Sequence, residues 1–461
     1  MGSDLRQFLG EIDDILLRVR RPVDLDYLSA LIADAEQPIL FEALVGYPGW
    51  QLCDLLFRNR ACQARVLKTN PAQVLPELGR RLSLPPRRPA VVAGGPVKAQ
   101  VVTGPAVDLR GLPAFQHGAH DGARTIIAMT VCRDPDTGHL NLAFTRMTPL
   151  TATRATYFIG SSSHMRSVLE KHEQRDMRMP FAFVIGTHPA YEIMASYAVP
   201  THLERFGELE LVPNLLGEDI ALARCETVPL EVPADAEVVI EGYVLPHVRE
   251  AEGPGPSQFL YYHPGVTQQP VFEATALSRR ADPIFRQHDT ILYSDHQPLI
   301  SLPHEAILYE RLRELGLRIH DVAFVPWGGT LCCALKLTPE YDGQVRDALM
   351  FVLGSRWPNA KMAVAVDDDA DLEDPRDLLW SLATRVDPQR DVFIVPDARG
   401  HRGDPCARPV EGGPGGVTVG KWGIDATKPP RSRPADRERF LRALPKHWGV
   451  VRLGAFLRGG P

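Results

Sequence analysis

The segment Glu250–Pro256, "EAEGPGP", sets two carboxylates among two glycines and two prolines. A backbone restricted by proline and turned by glycine holds a side chain in place. A held carboxylate can pair with a cation or pass a proton. The next side chain able to share a proton is Ser257, which leads into the aromatic run "FLYY". A cation of the right kind stands in "LNLAFTRM". Side chains alternate along a strand, so Leu140, Leu142, Phe144 and Arg146 share one face, and Asn141, Ala143 and Thr145 the other. An arginine completing an otherwise apolar face needs an anionic partner or a route to water.

Other polar groups are open to two readings. In "YFIGSSSHMR", serines precede His164 at a helix start. Free N–H groups there favour a phosphate and a neutral imidazole can bind a metal, but a serine-rich cap beside a surface histidine has the same pattern. "FGELELVP" offers Glu208 and Glu210 on one strand face, read by default as a solvated edge. "VDDDADLEDPRD" lacks the spacing and glycine of an EF-hand and reads as an acidic strand-to-helix turn. The glycines of "VEGGPGGVTVG" make neither GxGxxG nor GxxxxGK[ST], and GxSxG and HExxH are absent.

The elements that must position these groups fall into blocks. Residues 4–80 read mainly helical, with Leu5, Phe8, Leu9, Ile12, Ile15 and Leu16 at helical spacing. "LPPRRPAVVAGGP" breaks that pattern. From about 97 to 300 the signals are β: "KAQVVTG", a hairpin "AMTVCRDPDTGHLNLAFTRM", "FAFVIGTHP" and "AEVVIEGYVLP", with one helix in "SSHMRSVLEKHEQRD". Strands and helices then alternate as in an α/β domain. The expected division is a helical α/β region at 1–96, a β-rich domain at 97–302, an α/β domain at 303–440, and a tail at 441–461 that could serve oligomer contacts.

With 51 Lys plus Arg against 57 Asp plus Glu, the chain has no general affinity for nucleic acid. Seven scattered cysteines without CxxC spacing fit neither a zinc site nor a disulfide framework and suit a reducing cytoplasm. No apolar run is long enough to span a bilayer, so no membrane partner is expected. Soluble, multidomain and cytoplasmic is the expectation.

In order along the chain, "VDLRGLPAFQH", "DGARTIIAMTVCRDPDTGHLNLAFTRM", "LARCETVPLEVPADAEVVIEGYVLP", "EGP", "DDDADLEDPRDLLWSLATRVDP" and "KWGIDATKP" resemble the UbiD family of prenylated-FMN-dependent decarboxylases over roughly residues 100–430. The resemblance implies an α/β (α+β) protein: an N-terminal α/β region, a split-β-barrel-like flavin domain and a C-terminal α/β domain. It further implies a homodimer or higher homo-oligomer supplied with cofactor by a flavin prenyltransferase. Carried over by position, Asn141, His164 and Glu208 fall on the family's ligands for Mn²⁺ or Mg²⁺, an ion that bridges the cofactor phosphate, with K⁺ a further candidate. Phe144, Thr145, Arg146, Ser163 and the Ala198, Val199, Pro200 turn fall along the flavin, and Lys361 on a phosphate or flavin contact.

The family's catalytic arginine and first acid fall on Arg146 and Glu252. The second acid falls on Ser257, a departure from the family pattern. The implied reaction is reversible, non-oxidative decarboxylation of an aromatic, heteroaromatic or α,β-unsaturated acid through a covalent prenylated-FMN adduct, releasing CO₂. Phe259, His296 and His304 are expected to line the substrate pocket. A serine hydroxyl is too weak an acid to replace the missing carboxyl at neutral pH. That leaves Glu252 as donor, directly or through a water placed by Ser257; a histidine, His296 or His304, in its stead; or a member with altered or lost activity. An ordinary FMN oxidoreductase is the remaining alternative.

Overall fold

The protein is described here by a computed structural model covering residues 3–160, 164–197, 207–256, 265–290, 294–355, 360–410, 416–447 and 450–451. Its centre is a β-barrel. Strands run in the order Val238–Glu252, Met179–Ile185, Ile126–Arg133, Leu140–Pro149, Arg154–Phe158 and Thr267–Arg279, and the last pairs back to the first. Every pairing within it is antiparallel, and Gln100–Thr103 adds an outer strand. Closure leaves no unpaired edge among these six strands, and alternate residues fill the interior. Phe181, Phe183, Phe272 and Tyr157 pack there with Met147 and Ala143. Leu142 and Phe144, one position out of phase, join a separate core outside the barrel.

The expected hairpin forms Ile126–Arg133 and Leu140–Pro149. Asp134 closes its turn by accepting from the Asp136 amide at 2.8 Å, and Gly138 takes the left-handed conformation its missing Cβ permits. The helix His164–Glu173 is moored to this turn by Lys171, 2.6 Å from Asp134.

Two expectations are corrected by tertiary pairing. Residues 4–80 do contain helices, and Leu5–Glu11 buries Leu5, Phe8 and Leu9 behind an Asp4 cap. They also contain strands Leu17–Val19, Ile39–Phe41 and Gln51–Asp54, and the distant Ile284–Arg286 completes their sheet. Segments of three or four residues carry too little period to register as strands. Glu208–Glu210 is a single 3₁₀ turn running into Val212–Leu216, not a strand with a solvated face. Glu208 is buried there.

The last sheet has the order Ile319–Phe324, Cys332–Leu337, Met362–Val366, Val417–Ala426, Val392–Arg399. Gln344–Leu353 and Pro375–Arg385 are its helices, as the alternating pattern predicts. The acidic run is held in cation pairs: Asp367 with Arg437 at 2.9 Å, and Asp369 with Arg385 at 2.8 Å and Lys428 at 3.0 Å. The helix His296–Glu314 runs without a break through position 302, where a domain boundary was expected. Among the described residues no helix is long and apolar enough to cross a membrane.

Candidate active site

The strand Leu140–Pro149 carries polar groups on both faces. Near its start, Glu208 accepts from Asn141 Nδ2 at 3.2 Å and from the Leu142 amide at 3.0 Å. Gly207 permits this approach, because a Cβ there would overlap the Leu140 carbonyl. With Nδ2 committed to Glu208, Asn141 Oδ1 is buried and makes no hydrogen bond. Thr145 Oγ1, four residues on and on the same face, is in the same state. Buried oxygens without donors are costly, and an amide oxygen beside a carboxylate is the donor set of a hard cation. His164 opens the helix His164–Glu173. The adjacent Met165 touches the Thr130 hydroxyl, which donates to the Ala143 carbonyl at 2.9 Å, so the helix start is seated over the stretch between Asn141 and Thr145.

The other face carries Arg146, which is buried and finds the anionic partner that its strand position calls for. Its Nε donates to Glu252 Oε1 at 2.7 Å and its NH1 to the Pro256 carbonyl at 3.0 Å. Thr148 donates to the same Oε1 at 3.1 Å. Glu252 ends the strand Val238–Glu252, which passes Pro246 by way of an irregularity between Val244 and Arg249. Glu252 Oε2 is buried and makes no hydrogen bond. One carboxylate oxygen is thus held by a cation while the other makes no hydrogen bond.

Phe144, two residues before Arg146, meets the edges of His288 and His296, with ring centroids 4.7 and 5.8 Å away. Burial, reinforced by His288, pushes His296 down to about 3, so this imidazole is neutral at pH 7. His304 lies two turns farther along the same helix and is half-buried. Lys361 precedes the strand Met362–Val366 and pairs with Asp404 at 2.9 Å. Ser163, Ala198, Val199, Pro200, Ser257 and Phe259 lie outside the described residues.

A buried charge cluster behind these groups was not read from sequence. Arg286 contacts Asp54 at 2.7 Å, Asp295 at 2.9 Å and Glu192 at 3.1 Å, and His288 Nε2 lies 3.5 Å from Glu192. Three carboxylates around one guanidinium leave excess negative charge, and burial together with Asp295 pushes Asp54 well above the usual carboxylate range. The clue in the sequence was "FRQHD", four polar residues in a row starting at the last residue of the strand Ile284–Arg286.

Two family profiles match the chain. One is the 3-octaprenyl-4-hydroxybenzoate carboxy-lyase Rift-related domain over residues 90–291, and the other is that enzyme's C-terminal domain over 297–426. Anhydromevalonate phosphate decarboxylase of Methanothermobacter thermautotrophicus is 32% identical over 342 residues, 73% of this chain and 75% of that protein. The chain belongs to the UbiD family of carboxy-lyases. The UbiD-class enzyme HmfF from Pelotomaculum thermopropionicum, solved with FMN, superimposes with a TM-score of 0.85 at 30% identity, covering 99% of this chain and 100% of that one. An evolved dimeric form of HmfF with prenylated FMN gives 0.82 at 28% identity, covering 99% and 100%. Vanillic acid decarboxylase of Sedimentibacter hydroxybenzoicus gives 0.81 at 26% identity over 97% of each chain. The UbiD fold therefore spans nearly the whole chain, and its barrel strand carries both Asn141 and Arg146.

Proposed function

We propose that this UbiD-family protein catalyses reversible, non-oxidative decarboxylation of an aromatic, heteroaromatic or α,β-unsaturated acid, with prenylated FMN as cofactor. The observation that carries the reading is the buried Arg146–Glu252 pair, whose Glu252 Oε2 makes no hydrogen bond. The residues present suit the cofactor and its ion. Asn141, Glu208 and His164 would supply an amide oxygen, a carboxylate and an imidazole to Mn²⁺ or Mg²⁺, and the strand around Phe144 and Thr145 would line the flavin, largely through backbone and packing. Prenylated FMN, when bound, would supply the electrophilic chemistry that decarboxylation needs as an electron sink.

The protein positions the acid and manages the proton. Arg146 is a permanent cation that orients the substrate carboxylate, and its burial keeps that attraction from being screened by water. Thr148 and Arg146 hold one Glu252 oxygen, so the other delivers the proton to the substrate carbon and regains one from solvent. A neutral His296 is too weak an acid for this step, which favours Glu252 as the donor in a chain with serine at 257.

The test uses protein co-produced with a flavin prenyltransferase, its cofactor mass verified, and a panel of aromatic and unsaturated acids assayed for CO₂ release. Glu252→Gln is expected to lower turnover by at least about 100-fold with flavin retained. Surviving activity would remove Glu252 from the proton step. A cofactor without the prenyl mass would point to an ordinary FMN oxidoreductase.

A further inference from the structure

Arg146 is confined by more than its hydrogen bonds. A Cβ built on Gly255 would sit 2.6 Å from Arg146 Cζ and 2.8 Å from each terminal nitrogen. Since Cζ is nearer than either nitrogen, the Gly255 backbone lies on the flat face of the guanidinium and not at its edge. Phe158, the cross-strand neighbour of Arg146, supports the same group with its ring centroid 4.7 Å from Cζ. Glu252 and the Pro256 carbonyl hold two edges. NH2 has no hydrogen-bond acceptor among the described residues and is the edge left for a carboxylate. Gly255 is not one of the glycines with positive φ, so its backbone would accept alanine. What an added methyl would meet is the arginine.

We infer that Gly255 is a positioning residue for decarboxylation: its missing side chain is the space in which the Arg146 guanidinium lies, and a methyl there drives the guanidinium off Glu252. The inference rests on the reading of Arg146 and Glu252 as the catalytic pair. A glycine needed only to shape the loop would act whether or not the arginine is present, and a double-mutant cycle separates the two roles.

In flavin-loaded protein, Gly255→Ala is expected to lower kcat/KM by about 100-fold. Added to Arg146→Ala, it should cost less than about 2-fold more, since the group it displaces is gone. Losses that multiply overturn the inference. A binding measurement stands apart from turnover: ethylguanidinium, titrated by calorimetry into Arg146→Ala holoprotein, should fill the slot, and bind at least about 10-fold more weakly to the Arg146→Ala/Gly255→Ala protein. Equal binding to the two overturns the inference. Should Gly255→Ala fail to fold, Phe158→Leu removes the ring support without adding bulk. It should cost about 10-fold in kcat/KM, again with no further loss in the Arg146→Ala background, and multiplying losses count against the slot. If the wild type releases CO₂ from no acid, the decarboxylase reading fails, while the ethylguanidinium titration still decides the slot.

Discussion

At the scale of single residues, neighbours decide what each candidate can do. Asn141 Oδ1 is left without a hydrogen bond because Glu208 has taken Nδ2, and this suits the oxygen to the proposed ion. Asn141→Ala is therefore expected to weaken Mn²⁺ binding to the flavin-loaded protein by at least about 10-fold in a calorimetric titration. Unchanged affinity would remove Asn141 from the ligand set. Arg146 is likewise defined by geometry as well as charge. Arg146→Lys keeps the charge but cannot reproduce contacts made through both Nε and NH1, so turnover should fall by about 100-fold with flavin retained. A lysine variant with wild-type turnover would show that charge alone suffices. At Glu208 spacing alone misled: two glutamates at alternate positions suggested an exposed strand edge, whereas one turn of 3₁₀ helix buries the first of them, the one that the family resemblance set among the ligands.

At the scale of elements, His188 shows how one group can couple a helix to pH. It caps Pro189–Ala195 by accepting from the Ala190 amide through Nδ1 at 3.1 Å, and its ring packs edge-on to Phe8 at 5.2 Å. Burial, opposed by Glu11, pushes it from 6.5 down to about 4. The folded-state pKa is depressed, so the stabilisation is complete above pH 6.5 and lost as pH falls towards 4. The whole effect is roughly 3 kcal/mol for such a shift. His188→Asn keeps a side-chain acceptor at the cap and does not titrate, so the fall in Tm between these pH values should become shallower. An unaltered pH profile would place the acid sensitivity elsewhere. None of this was legible in "GTHPA", because burial of the ring depends on Phe8, far away in the chain.

At the scale of the whole molecule, Arg286 joins three regions. Asp54 comes from the N-terminal sheet, Glu192 from a helix packed outside the barrel, and Asp295 from the start of the helix that leads into the C-terminal sheet. All four side chains are buried. Arg286→Met would leave three carboxylates without their cation, and a loss of about 3–5 kcal/mol is expected, read as a large drop in calorimetric Tm. A Tm within about two degrees of wild type would show that the cluster adds little to stability.

The sequence by itself determined the family, through ordered motifs spread over most of the chain. It also determined the alternation of the Leu140–Pro149 strand, because a strand's two-residue period is local and puts Asn141 and Arg146 on opposite faces whatever surrounds them. Tertiary structure decided the rest. Arg146 meets Glu252 across 106 residues and Asp54 meets Arg286 across 232. Composition and period name the groups able to ionise, but closure of the barrel and packing of the sheets around it bring them together. The same packing sets which of them are dry, and dryness fixes whether a carboxylate holds its proton.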